Sequence, residues 1–462
     1  MKVLLIAPNY RKVYRYVGEE ATMILPPIGL AYIAAFLREE GIPVEILDLA
    51  ALNLDDSQTQ EEIERRDPDI VGITAVTNTI EEAYNVSRLA KRSNRKVIVG
   101  GAHASILPEQ TLEECKDIDI TARGEGEHTL LEIARGKPLN EVKGISYRVG
   151  NTIVTNPPRP FIKRLDELPF PAWDLLPLKR YWSPGVKRYP FALLVTSRGC
   201  PYSCSFCTTR TVLGKEFRSR SPENVIAEVD ELVNRYGVKE INIVDDNFTL
   251  LPDRAEKICD LLIEREYDLI WKTGNGIRAD RVTYPLILKM KRAGCYFLAF
   301  GVESGNQKIL DLINKGETLE QIRTAVKWAK EARLMTEGFF MIGNDGEGEK
   351  EIRETIEFAK ELDVDFAQFQ IYIPFPGSSH SDKIISEGNL HARSWKDYNA
   401  FNKPIFSYGG LTPELMERMQ KIAYREYYLR PQIIFRKTLE IRSFKQLKAY
   451  FRAALSVLKF QH

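Results

Sequence analysis

Thr196-Ser-Arg-Gly-Cys200-Pro-Tyr-Ser-Cys204-Ser-Phe-Cys207 places three cysteines at C-x3-C-x2-C spacing, directly after an apolar run, Phe191 to Val195, that reads as a strand. A zinc ribbon would take a second cysteine pair nearby, and none follows. The other three of the six cysteines, Cys115, Cys259 and Cys295, are isolated in sequence. Three thiolates on one loop suit a [4Fe–4S] cluster, which normally takes four. One iron then keeps an open position, which is where a metal meets its substrate. Structural zinc and inert buried thiols are the alternatives.

The chain has 462 residues, a formal net charge of +1, 44% apolar and 28% charged side chains. That length suits two or three domains of ordinary globular composition. A near-neutral chain carries no nucleic-acid signature. Unpaired cysteines argue against a secreted disulfide framework. The opening run Met1 to Pro8 reads as a strand and is too short for a signal peptide. No run of 18 uncharged apolar residues predicts a membrane span. A cytoplasmic, reducing and oxygen-poor setting is the expectation.

Strand-like and helical stretches alternate through residues 1–145. Val3–Ala7, Val44–Leu47, Ile70–Thr74 and Lys96–Val99 read as strands; Ile28–Glu40 and Glu81–Ser93 read as helices. This α/β alternation predicts a doubly wound, flavodoxin-like (Rossmann-like) sheet that binds ligands beyond its strands' carboxyl ends. Asn9, Thr74, Thr77, Asn78, Gly100, Gly101, His103 and the turn Gly124-Glu-Gly-Glu127 lie there. Walker and Gly-x-Gly-x-x-Gly loops are missing, so a nucleotide site is not expected. Pattern alone leaves the ligand open.

Residues 146–187 are expected to form a Pro-rich connector, held by Phe170, Trp173 and Trp182 and opened by a hairpin at Gly150-Asn151. Over 188–390, six strands are predicted: Phe191–Val195, Glu240–Val244, Leu269–Thr273, Tyr296–Gly301, Gly338–Ile342 and Phe366–Ile373. Each precedes a helical pattern, such as Pro222–Tyr236 or Leu319–Arg333, which predicts a partial (β/α)6 TIM barrel with its function at the strands' carboxyl ends.

Read together, the cysteine motif, Leu25-Pro-Pro-Ile-Gly-Leu-Ala-Tyr, Asp69-Ile-Val-Gly-Ile-Thr, Gly100-Gly-Ala-His and Gly124-Glu-Gly-Glu resemble the cobalamin-binding radical S-adenosylmethionine (radical-SAM) enzymes of the methyltransferase and cyclase type. The resemblance spans roughly residues 1–390. It implies a [4Fe–4S] cluster on Cys200, Cys204 and Cys207, SAM on the open iron, and reductive cleavage of SAM to a 5′-deoxyadenosyl radical. It also implies cobalamin in the first domain, contacted by the strand-end residues named above.

By the same resemblance, SAM would meet Phe206, Asp245, Asp246, Asn247, Arg278, Glu303, Ser304, Gly343 and Pro374. The guanidinium of Arg278 matches a carboxylate in shape. The Asp-x-His-x-x-Gly motif that supplies a histidine to cobalt elsewhere is absent. His103 is therefore expected beside the corrin side chains or nucleotide tail, with no protein histidine on cobalt. A structural role remains the alternative for each residue, and a helix N-terminus that favours acids is the alternative for Glu125 and Glu127.

The implied reaction is methyl transfer to an unactivated carbon, with radical ring closure or rearrangement as the rival. Methylthio transfer lacks the cysteines for a second cluster. A cobalamin sensor would leave the SAM motifs unexplained, and an empty docking module is the alternative for residues 1–145. A reductant such as ferredoxin or flavodoxin is the implied partner.

Residues 391–462 are expected to form a mainly helical basic region. From Arg430 to His462 there are eight Lys or Arg and one acid, Glu440. Ser443 would cap a helix with Phe444, Leu447, Phe451, Ala454, Leu455 and Leu458 on one stripe. That pattern fits peripheral contact with an anionic membrane or packing on the barrel. With the basic loop Arg11-Lys-Val-Tyr-Arg15-Tyr and the aromatic run Phe366–Tyr372, it favours a lipid-like substrate with a polar or anionic head. A soluble natural product or tetrapyrrole is the alternative.

Overall fold

The computed structural model describes residues 1–17, 22–92, 95–400 and 403–439. Seven strands form the first sheet: β1 (Val3–Ala7), β2 (Val44–Asp48), β3 (Ile70–Thr74), β4 (Lys96–Gly100), β5 (Ile120–Ala122), β6 (Ile145–Val149) and β7 (Thr152–Thr155). Their order is β2-β1-β3-β4-β5-β6-β7. The first five are parallel, in the doubly wound order whose switch point lies between β1 and β3. Helices cover both faces, so β1 is buried along its whole length and reads as an unbroken apolar run.

The hairpin of β6 and β7 was expected to begin the connector. It instead extends this sheet, pairing antiparallel on the free edge of β5. The connector proper is fixed by side chains. Trp173 is fully buried and donates its indole N–H to Glu228 at 3.3 Å, and Tyr181 donates to Asp48 at 3.0 Å. Trp182, an expected anchor, is exposed, and only its backbone pairs with Ile24. The neighbouring Tyr181 holds that place.

The second sheet has six parallel strands in chain order: β8 (Phe191–Leu194), β11 (Glu240–Ile243), β12 (Ile270–Ile277), β13 (Cys295–Glu303), β14 (Met335–Ile342) and β15 (Phe366–Ile371). This is the predicted partial barrel. Two short antiparallel strands, β9 (Ser197–Arg198) and β10 (Arg218–Ser219), pin the base of the cysteine loop. The barrel stays open beyond β15, and an open edge exposes unpaired backbone groups. Helix Pro413–Tyr428 covers it. Tyr428 Oη accepts from the Ala367 N–H (2.9 Å) and donates to the Ala367 carbonyl (3.0 Å), and Gln420 donates to the Phe369 carbonyl (2.8 Å).

The C-terminal region differs from the expectation at its start. Residues 391–400 are not a long helix; they fold back over the first domain, where Trp395 donates to Glu114 (2.7 Å) and Lys396 pairs with Glu81 (3.1 Å). The expected helix from Ser443 lies outside the described residues.

One apolar core runs from the inner face of the first sheet (Val3, Leu5, Ile98) through Trp173 to the barrel and on to Tyr427. The outer face of the first sheet has its own core, with Leu4, Ile6, Val71 and Val97. The Tyr428→Phe variant keeps the ring and removes two hydrogen bonds to the edge strand. It should lower unfolding stability by about 1–2 kcal/mol in urea titration, and no change would show that water replaces the hydroxyl.

Candidate active site

Asp245, at the carboxyl end of β11, organises the exit of the chain from β8. It is fully buried and accepts from the Thr196 N–H at 2.6 Å, from the Thr196 hydroxyl, and from the Ser197 hydroxyl at 2.7 Å. Those bonds fix the first residues of the cysteine loop. Gly199 follows at φ +83°, where an added Cβ would stand 2.4 Å from the Glu216 carbonyl oxygen. Only glycine fits that turn.

Cys200, Cys204 and Cys207 are free, half-buried thiols on this one loop. The Cys207 N–H donates to the Cys204 carbonyl (3.1 Å), and the Thr209 N–H donates to Cys207 Sγ (3.5 Å). Burial pushes the Cys204 thiol up to about 11, opposed by the Lys315 ammonium; burial also raises the Cys200 thiol, opposed by the Tyr202 N–H and Arg278. Among the described residues no three His, Cys, Asp or Glu side chains are grouped to hold a single metal ion. A four-iron cluster does not need that convergence, because each thiolate binds a different iron. The donor set therefore fits a cluster better than zinc.

Two arginines grip the same loop from the barrel side. Arg278 stacks on Tyr202 with its guanidinium 3.6 Å from the ring centre, and Arg281 donates to the Tyr202 hydroxyl at 2.7 Å. Every nitrogen of the Arg278 fork is engaged, by Asp280 (2.9 and 3.2 Å) and by the carbonyls of Lys315 (2.6 Å) and Gly316 (3.2 Å). The sequence reading gave this fork to a SAM carboxylate. Its geometry commits the fork to Asp280 and to the carbonyls of Lys315 and Gly316, and only the flat face of the guanidinium meets the cysteine loop.

The other expected SAM residues gather around that loop with different degrees of freedom. Asp245 is spent on Thr196 and Ser197, whereas Asp246 is half-buried and accepts from the Thr209 hydroxyl (3.1 Å). Asn247 is fully buried and its amide nitrogen has no partner. Glu303 takes a left-handed φ of +63° and pairs with the buried Lys315 at 3.1 Å. Ser304 shares a hydrogen bond with Thr355 at 3.2 Å. Phe206 is partly buried on the core.

Gly343 and Pro374 meet through helix Ser379–Ser386. The His380 ring nitrogen lies 3.1 Å from the Gly343 carbonyl, and the Ser381 hydroxyl donates to the Pro374 carbonyl at 2.8 Å. That helix returns to the cysteine loop, since the His380 N–H donates to the Ser205 carbonyl at 3.0 Å.

Two cavities open at the carboxyl ends of the first sheet and meet at Thr74. The smaller, about 280 Å³, is floored by Gly72, Gly100, Gly101, Gly124 and Gly126, with Glu125, Glu127, Arg198 and Asp246 on its walls. An added Cβ at Gly126 would come within 2.7 Å of the Ile33 side chain, and at Gly101 within 2.5 Å of the Ala75 carbonyl. These glycines let the chain pack closely around the cradle where a side chain would not fit. The larger cavity, about 710 Å³, lies between Ala7, Thr74, Asn78 and Thr79 of the first domain and Gln368, Gln370, Ile373 and Phe375 of the barrel.

Three expected cobalamin residues line neither cavity. Asn9 donates to the Leu54 carbonyl (3.2 Å) and accepts from the Arg11 N–H (3.2 Å). His103 is fully buried, 3.3 Å from the Thr77 hydroxyl, with its ring centre 4.7 Å from that of Trp395. Burial holds it down to about 4, so the ring is neutral. His103 belongs to the packing beneath Trp395 and not to the strand-end cradle, and Thr77 is its partner.

The aromatic run Phe366–Tyr372 is also redistributed. Phe369 and Tyr372 are core, and Gln368 and Gln370, on either side of Phe369, face the larger cavity. Sequence reasoning missed Arg198, Arg218, Tyr202 and Lys315. Their charge or ring was visible, but the partners that bring them to the site, Glu125, Glu127, Arg278 and Glu303, lie more than ten residues away.

The first domain matches the B12-binding domain model over residues 14–134, and the barrel matches the Radical SAM superfamily model over residues 194–359. The chain belongs to the cobalamin-binding radical-SAM enzymes. An uncharacterized methyltransferase of Pyrococcus horikoshii is 39% identical over 96% of both chains. The anaerobic magnesium-protoporphyrin IX monomethyl ester cyclase of Rubrivivax gelatinosus is 29% identical over 98% of this chain and 83% of its own. The solved radical-SAM methyltransferase TsrM of Kitasatospora setae, with cobalamin and a [4Fe–4S] cluster bound, shares the fold at a TM-score of 0.73 and 19% identity, covering 92% of this chain and 91% of its own. The cofactors of this chain are accordingly a [4Fe–4S] cluster, SAM and cobalamin.

The Gly199→Ala variant should leave the far-ultraviolet circular dichroism unchanged and lose most of its iron after anaerobic reconstitution. Full iron loading would show that the cysteine loop tolerates a Cβ at that turn.

Proposed function

We propose that this enzyme transfers a methyl group to an unactivated carbon of a large, mainly apolar substrate lodged between its two domains. One observation carries the reading: the larger cavity is walled on one side by the strand ends of the cobalamin domain and on the other by the barrel mouth. When bound, the cluster supplies one-electron cleavage of SAM and the cobalamin supplies a methyl donor. The protein has to bring both to one substrate carbon and exclude water.

Cys200, Cys204 and Cys207 are the ligands we assign to the cluster. Asp246, Asn247, Glu303, Ser304, Gly343 and Pro374 are the residues we assign to SAM. Asn247 favours this placement, because a buried amide N–H without a partner costs free energy until a ligand accepts from it. Thr74, Asn78, Gly100, Gly101 and the Gly124–Glu127 turn are the proposed cobalamin contacts. With His103 outside both cavities, the protein offers cobalt no histidine from that loop.

Apolar side chains, hydroxyls and amides line the larger cavity, and no charged side chain is among its described lining residues. A neutral head, held by Gln368 and Gln370, fits better than an anionic one. In the basic loop Arg11 donates to the Ala50 carbonyl at 2.8 Å, and the side chains of Tyr14, Arg15 and Tyr16 lie outside the described residues.

Peripheral membrane contact is proposed for the C-terminal end. Ile434 and Phe435 are exposed on helix Pro431–Leu439, at the start of the basic stretch. No helix among the described residues is long and apolar enough to cross a membrane. A ferredoxin- or flavodoxin-type protein is the proposed reductant.

The cyclase among the relatives keeps ring closure as a second reading. Incubation with methyl-labelled SAM, reductant and cell extract separates the two. Label in a lipid-soluble product is the expected result; deoxyadenosine with unlabelled product would establish ring closure. Replacing Cys200, Cys204 and Cys207 by Ala should abolish both products together with the brown chromophore. In sedimentation with anionic liposomes at low salt, the intact chain should pellet and a chain ending near residue 428 should not. Equal behaviour of the two would remove the membrane from the proposal.

A further inference from the structure

Four buried charges join the two domains beside the cysteine loop. Arg198 lies two residues before Cys200. Its Nη1 donates to Glu125 at 2.8 Å and its Nη2 to Glu127 at 2.9 Å. Arg218, opposite it on β10, donates to the same Glu125 oxygen at 2.7 Å and to the Ile162 and Leu213 carbonyls at 2.7 and 2.8 Å. The second Glu125 oxygen accepts the Ile162 N–H at 2.6 Å. The guanidinium of Arg198 lies 5.1 Å from the ring centre of Tyr32, and that of Arg218 lies 4.9 Å from Phe161. Side-chain exposures are 11% for Arg198, 2% for Arg218, 5% for Glu125 and 4% for Glu127.

This arrangement has two sides. Glu125 and Glu127 belong to the turn that opens helix Glu127–Ala134, and with Arg198 they wall the smaller cavity. Arg198 belongs to β9, whose neighbour Ser197 is fixed by Asp245 and whose next residues carry the first thiol. A shift of the turn therefore cannot leave the start of the cysteine loop in place without breaking a buried, charge-assisted fork. A lysine could not replace the fork, having a single point of charge for two carboxylates.

We infer that Arg198 is a positioning residue that makes the cobalamin cradle and the cysteine loop one mechanical unit, so that filling the cradle tightens the loop. The inference rests on the reading that the first domain holds cobalamin. The closing experiment is amide hydrogen exchange by mass spectrometry on the anaerobically reconstituted full chain, with and without hydroxocobalamin. Wild type, Arg198→Lys and Arg198→Gln are compared. Both variants break the two-pronged fork and the first keeps the charge, so either one that folds decides the matter.

In wild type, hydroxocobalamin should slow exchange several-fold both in residues 120–134 and in residues 197–207. In the variants the first slowing should persist and the second should vanish, a separation that a general loss of stability would not give. Slowing of both segments in either variant would overturn the inference, as would slowing confined to 120–134 in wild type. Either outcome leaves the cobalamin reading standing. If exchange in wild type slows in neither segment, cobalamin is not bound at the cradle, and both the functional reading and the inference fall.

Discussion

The site depends on one buried carboxylate. Burial raises the Asp245 carboxyl above its ordinary range, and three hydrogen bonds from Thr196 and Ser197 oppose that rise. A charge in that position is costly unless fully hydrogen-bonded. The need to satisfy it fixes where the chain leaves β8. Arg254 completes the net by donating to the Thr196 carbonyl at 2.7 Å and to the Arg220 carbonyl at 2.7 Å. Arg220 donates in turn to the Val195 carbonyl at 3.0 Å and pairs with the buried Glu228. The loop that follows starts from a point with no freedom, which is what three thiols sharing one cluster require.

The two domains are less separate than their alternating patterns suggest. One core passes from the first sheet through the connector into the barrel, and Trp173 and Tyr181 carry it across by bonding to Glu228 on the barrel side and Asp48 on the sheet side. Breaking a buried ion pair by removing one partner costs about 3–5 kcal/mol. The clamp at Glu125 and Arg198 therefore resists separation of the domains even though its net contribution to stability is small. Radical chemistry on a substrate shared by two cofactor sites places its main demand on that relative placement.

The strands were legible wherever both faces are covered. Val3–Ala7 and Ile70–Thr74 are uninterrupted apolar runs and fold as read. β12 runs on to Ile277, past the predicted Thr273, because Gly274 and Gly276 hide a bulged continuation from any apolar pattern. β5 is only three residues long and gave no run to see. The cysteine loop was legible because its spacing is local. The partners of Glu125 and Glu127 were not, because each is decided by a residue distant in sequence, and Arg278 joins its near neighbour Asp280 to two carbonyls far along the chain. A guanidinium that matches a ligand carboxylate matches Asp280 and two carbonyls equally well, and only the fold chooses between them.

The same reasoning separates the aromatic residues near the barrel mouth. Phe369 stacks on Phe340 with ring centres 5.0 Å apart and meets Tyr424 of the helix that covers the edge strand. In β15 alternate side chains face opposite ways, so once Phe369 is committed to the helix side, Gln368 and Gln370 must face the lumen. The polarity of the proposed substrate pocket is thus a consequence of how the open barrel edge is covered. Covering that edge with tyrosines takes up Phe369, and Gln368 and Gln370 are left as neutral amides that can orient a polar head without opposing it with charge.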